Sequence, residues 1–80
     1  MNSKYDRYRG IMCDVLSLNT ADVEQATYKS SENWSSLTHL ILIDRLEEEF
    51  DCMFTREEIL SFQSYEKGLS ILKTKGLLDS

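Results

Sequence analysis

Two serines stand where a helix should begin in this 80-residue chain. Ser35 and Ser36 directly precede the run Leu37-Thr38-His39-Leu40-Ile41-Leu42-Ile43-Asp44-Arg45-Leu46-Glu47-Glu48-Glu49-Phe50. A helix starting here offers free backbone N–H groups and the positive end of its dipole to whatever Ser36 holds, an environment that suits a phosphate. His39, the only histidine, lies three residues further on. Nucleophilic catalysis by Ser36 needs that ring within hydrogen-bond reach, a group to orient it and an oxyanion site in a cleft. Helical spacing instead turns His39 toward the core, and so short a chain has little room for a cleft. The expectation is a satisfied core or loop histidine and no enzyme.

Cys13 and Cys52 are the only cysteines. Zinc takes about four ligands at short spacing, which two scattered thiols and one histidine do not supply. No metal site is expected, and two free, partly buried thiols are expected over a disulfide. The net charge of −5 is concentrated: residues 44–58 hold seven acids (Asp44, Glu47, Glu48, Glu49, Asp51, Glu57, Glu58) against Arg45 and Arg56. Such a patch repels nucleic acid and anionic lipid and steers basic protein surfaces toward itself. No apolar run approaches the roughly 20 residues that cross a membrane, and Met1-Asn2-Ser3-Lys4-Tyr5 has no signal-peptide apolar core. A cytoplasmic monomer, free of nucleic acid and membrane, is the expectation.

With 41% apolar and 29% charged residues and no proline, residues 1–80 read as one helical domain. At this size a chain buries only about 60–65% of its unfolded surface, so stability is modest. Tyr5, Tyr8, Ile11, Met12, Val15 and Leu16 recur at three- and four-residue intervals and predict a first helix over 4–16. Residues 17–33, rich in Ser, Thr, Asn and Asp, predict a long loop with one short turn near 21–24, pinned by Leu18, Val23 and Tyr28. The second helix spans about 36–50, capped by Ser35 or Ser36. Thr55-Arg56-Glu57-Glu58 is a capping box that opens a short third helix containing Ile59 and Leu60, with Phe62 just beyond. Ser64 and Glu66 open a fourth, with Tyr65, Leu69, Ile71 and Leu72 inward and Gly76 as its stop. The fold class is all-α: a small four-helix bundle of three main helices and one short helix, with a long loop between helices 1 and 2.

At about 100° per residue, the second helix has two apolar faces. His39, Leu42, Ile43, Leu46 and Phe50 form a core-facing stripe. Leu37, Leu40 and Ile41 fall nearly opposite, beside Asp44, Glu47 and Glu48. One core cannot take both. The second set either packs under the 17–33 loop or forms an apolar spot with an acidic rim, the pattern of a partner-binding surface; the second reading is preferred.

Trp34-Ser35-Ser36-Leu37, then Leu42, Leu46 and Glu47-Glu48-Glu49-Phe50, then the capping box and Ile59, resembles the acyl carrier protein family. The likeness covers about 5–72 and is strongest over 34–59. It implies that Ser36 is esterified with 4′-phosphopantetheine from coenzyme A, whose thiol, rather than Cys13 or Cys52, holds acyl intermediates as thioesters in fatty-acid, polyketide or related synthesis. It implies too that Leu37, Leu40, Ile41, Asp44, Glu47 and Glu48 face the phosphopantetheinyl transferase and the acyl-loading and acyl-processing enzymes, through basic docking surfaces on those partners. Ser35 replaces the aspartate common before the family's serine, which implies a specialised carrier. The alternative is an unmodified helical interaction module using the same acidic and apolar face.

Overall fold

In the computed structural model, residues 3–29 and 33–78 are described; the parts of the expected loop at 30–32 and the extreme N-terminal residues lie outside them. Five helices follow in order: α1 (Lys4–Leu16), α2 (Thr20–Val23), α3 (Ser36–Phe50), α4 (Arg56–Ser61) and α5 (Tyr65–Thr74). Three are long, α4 is the expected short helix, and α2 is the turn expected inside the loop. The fold is a small all-α bundle.

Local chemistry sets each start. Ser3, Asn19, Ser35, Thr55 and Ser64 are the N-caps, and each side chain accepts a backbone N–H three residues on. Such a cap contributes about 1 kcal/mol by satisfying a donor the helix cannot. Two caps are full capping boxes: Ser3 with Asp6, and Thr55 with Glu58. The Glu58 carboxylate, which accepts the Thr55 N–H and then pairs with Lys75 at 3.0 Å, is held below the usual carboxylate range by those two contacts, the backbone bond foremost. Ser17 and Asp51 end α1 and α3 in the left-handed region, with φ of 56° and 50°. Gly76, at φ 74°, turns the chain after α5, a conformation glycine adopts without Cβ strain.

Amphipathic faces then meet in one core. Tyr8, Met12 and Leu16 from α1, Leu42 and Leu46 from α3, and Tyr65 and Leu72 from α5 are fully buried, with Val23 from α2 and Phe62 between α4 and α5. α1 packs on both α3 and α2. Residues 17–29 lie on this core: Val23 and Ala26 are buried, and Leu18 and Tyr28 are half-buried. Their backbone is tied across the bundle as well. Tyr28 N–H donates to Gln63 O at 2.8 Å, Tyr65 N–H to Ala26 O at 3.0 Å, and the Asn33 side-chain amide to Leu16 O at 3.0 Å. No helix among the described residues is long and apolar enough to cross a membrane.

Gly68 in α5 is buried, and a Cβ there would collide with the Tyr8 hydroxyl and the Phe62 ring. Its missing side chain lets α1 approach closely enough for the Tyr8 hydroxyl to donate to Tyr65 O at 2.8 Å. Gly68→Ala should therefore cost about 1–3 kcal/mol through overpacking. Gly10→Ala, with open space around the site, should gain about 0.5–1 kcal/mol from helix propensity. Urea unfolding of the two variants checks both signs.

Burial, aided by Tyr65 and Tyr5, pushes the Tyr8 phenol far above its ordinary 10.0. In the unfolded chain it ionises near pH 10. Below that pH its contribution is present in full. Above it the unfolded chain holds fewer protons than the folded one, so stability falls as pH rises, by about 1.4 kcal/mol per unit from this residue. Urea midpoints followed from about pH 9 to about pH 11.5 should fall less steeply in Tyr8→Phe than in wild type.

Candidate functional site

Residues 33–36 set up the head of α3. Trp34, only 2% exposed, anchors the chain in the core just before the helix. Ser35 is the cap: its Oγ accepts the Thr38 N–H at 3.2 Å, and its carbonyl accepts the His39 N–H at 2.8 Å. Ser36 is thereby the first helical residue. Its hydroxyl is exposed and lies 3.2 Å from the Tyr28 hydroxyl. With the Thr38 N–H capped by Ser35, the N–H groups of Ser36 and Leu37 are the first-turn donors that have no carbonyl of the helix behind them to bind.

His39 is committed elsewhere. The Trp34 indole N–H donates to its Nδ1 at 3.0 Å, and its Nε2 lies 2.8 Å from Ile59 O. An indole N–H only donates and a carbonyl only accepts, so Nδ1 is the acceptor and Nε2 carries the hydrogen. Neither nitrogen is left to take a proton from Ser36. The ring stacks on Trp34 at 6.1 Å and meets Tyr28 and Phe62 in T-shaped contacts at 6.0 and 6.1 Å.

Next to this aromatic cluster runs a groove of about 320 Å³. Tyr28, His39, Leu40, Ile59, Leu60 and Phe62 line it, and Ser36 lies on its wall. Sequence reasoning singled out Ser36 but not this groove, because its far wall comes from α4 and its near edge from Tyr28 in the loop. Helical periodicity within one element cannot bring those three segments together. The weak signal available was the pair Ile59-Leu60 in a short, capped helix, two adjacent apolar residues that cannot both point into the core.

The second apolar face of α3 is exposed. Leu37 is 69%, Leu40 60% and Ile41 46% exposed, and Leu60 on α4 adds a further 64%. The described part of the loop, residues 17–29, leaves them exposed, because its Val23 and Ala26 bury into the core instead. Asp44 and Glu48 are exposed beside them and form no ion pair among the described residues. Glu47 differs: it is half-buried, and its Oε2 accepts the Phe54 N–H at 2.8 Å. That carboxylate closes the turn between α3 and α4. Glu49 pairs with Arg7 at 3.5 Å and Arg45 with Asp14 at 3.0 Å, both across the α1–α3 contact.

Cys13 and Cys52 are free and half-buried, and burial pushes both thiols up. They are therefore protonated, weak nucleophiles at neutral pH. Among the described residues no cluster of three or more His, Cys, Asp or Glu side chains could hold a metal. No protein-family model matches the chain, and no curated protein matches it.

The different settings of two adjacent acids can be measured. Glu47→Ala strips the Phe54 amide of its acceptor and should cost about 1 kcal/mol, whereas Glu48→Ala, on open surface, should stay within about 0.5 kcal/mol of wild type. Equal urea midpoints for the two variants would contradict the assigned contact.

Proposed function

We propose that this chain is an acyl-carrier-type protein in which Ser36 bears a 4′-phosphopantetheine arm donated by coenzyme A. The observation that carries the reading is the exposed Ser36 hydroxyl at the first turn of α3, on the wall of an apolar groove. The likeness of residues 34–59 to the acyl carrier family supports it. The residues present fit the group. The first-turn N–H groups and the helix dipole favour a phosphodiester, and the groove of about 320 Å³ offers apolar walls beside it.

In the loading step Ser36 Oγ forms a bond to phosphorus and loses its proton to a base of the transferase. The pyrophosphate linkage of coenzyme A breaks, and the nucleotide half leaves as 3′,5′-adenosine bisphosphate. The bound arm supplies a terminal thiol that carries acyl groups as thioesters. His39 takes no part as a base, since both its nitrogens are engaged. This chain's own work is to present the hydroxyl and to be held by other proteins. Leu37, Leu40 and Ile41 supply exposed apolar surface for docking, and Asp44 and Glu48 supply charge for basic partner surfaces. Glu47 contributes to the same field while its carboxylate also braces the turn at Phe54. Surface ion pairs are worth about 0–1 kcal/mol each and are screened by salt, so such docking is brief, as a shuttle requires.

Incubation with coenzyme A and a promiscuous phosphopantetheinyl transferase should raise the intact mass by one phosphopantetheine, and Ser36→Ala should abolish the rise. Glu48→Lys should slow loading about fivefold, the kinetic equivalent of about 1 kcal/mol, with helical circular dichroism unchanged. No mass gain with several transferases would favour an unmodified interaction module that uses the same face.

A further inference from the structure

Residues 26–28 are held on the bundle by their backbone. Ala26 O accepts the Tyr65 N–H at 3.0 Å, Tyr28 N–H donates to Gln63 O at 2.8 Å, and Thr27 makes a bridge with Ser64. So fixed, the Tyr28 ring makes T-shaped contacts with Trp34 at 6.2 Å and with His39 at 6.0 Å. The hydroxyl at its tip lies 3.2 Å from Ser36 Oγ. A tyrosine immobilised through both backbone and ring presents its hydroxyl with little further loss of side-chain entropy.

We infer that Tyr28 is a positioning residue for the modified form of Ser36: its O–H donates to the phosphate ester on Ser36 and fixes the root of the arm at the edge of the groove. The inference rests on the carrier reading above. In the bare protein either hydroxyl can donate to the other. Once Ser36 Oγ is esterified it has no hydrogen, so Tyr28 alone can donate, to Oγ or to a non-bridging oxygen on the same phosphorus. The acceptor is then part of an anion, and a charge-assisted hydrogen bond is roughly twice as strong as a neutral one. The contact seen in the bare chain therefore strengthens on modification. Tyr28 and Ser36 both line the groove, so a phosphate held between them roots the arm beside its apolar walls.

Wild type and Tyr28→Phe are each prepared bare and loaded with phosphopantetheine, and all four unfolding constants are measured in urea. Phenylalanine keeps the ring and the backbone contacts, so any packing change is common to the bare and loaded forms. The expected result is that the substitution raises the unfolding constant about tenfold more in the loaded pair than in the bare pair. The ³¹P resonance of the loaded protein should move on substitution as well. Equal factors in the two pairs overturn the role of Tyr28 while leaving the carrier reading intact. A wild-type protein that gains no mass overturns the carrier reading, and the role of Tyr28 with it.

Discussion

One imidazole ties the working end of this bundle together. Trp34 comes from the segment before α3, His39 from its first turn and a half, and Ile59 from α4, and the His39 ring joins all three through its two nitrogens. Among the described residues, the His39–Ile59 contact is the polar tie between α4 and the head of α3. α4 has six residues and buries none of them fully, so it is too short to be stable through propensity alone. Its position depends on the Thr55 capping box, on Phe62 at its end and on the carbonyl of Ile59 held by His39.

The groove and the exposed serine follow from that constraint. With α4 held at Ile59, Leu60 faces α3 across an open space and Phe62 closes its floor against His39 and Trp34. The 26–28 strap supplies Tyr28 as the remaining wall. Ser36 stays outside because its two neighbours take the structural roles: Trp34 fills the core and Ser35 satisfies the helix end. A tandem serine thus divides the two tasks: Ser35 caps the helix, and the Ser36 hydroxyl is left exposed beside Tyr28.

The long elements were legible because amphipathic period and caps agree. Tyr8, Met12 and Leu16 in α1, and Leu42, Ile43 and Leu46 in α3, are buried as their spacing implies, and Ser35, Thr55 and Ser64 begin helices. The exposure of Leu37, Leu40 and Ile41 follows from the same periodicity, since opposite faces of one helix cannot both meet a single core. What sequence could not give were contacts between elements distant in the chain. The Tyr28–Ser36 approach, the Trp34–His39–Ile59 bridge and the close passage of Tyr8 at Gly68 depend on tertiary placement. Glu47 belongs with them: the helical wheel puts it on the acidic face, but only the turn into Phe54 makes its carboxylate structural.

The acids divide in the same way between internal and outward roles. Of the seven acids in residues 44–58, Glu47, Glu49 and Glu58 are engaged inside the chain, by the Phe54 amide, Arg7 and Lys75. Asp44, Glu48, Asp51 and Glu57 form no ion pair among the described residues and are exposed. Arg7, Arg45 and Lys75 are each taken up by an internal acid, which removes three of the nine bases from the external field. The fold therefore neutralises charge where helices meet and leaves it uncompensated beside exposed leucines. Under the carrier reading proposed above, such a surface draws a cation-rich partner from a distance and holds it through a small apolar contact, so that its on-rate is sensitive to salt and its complexes short-lived.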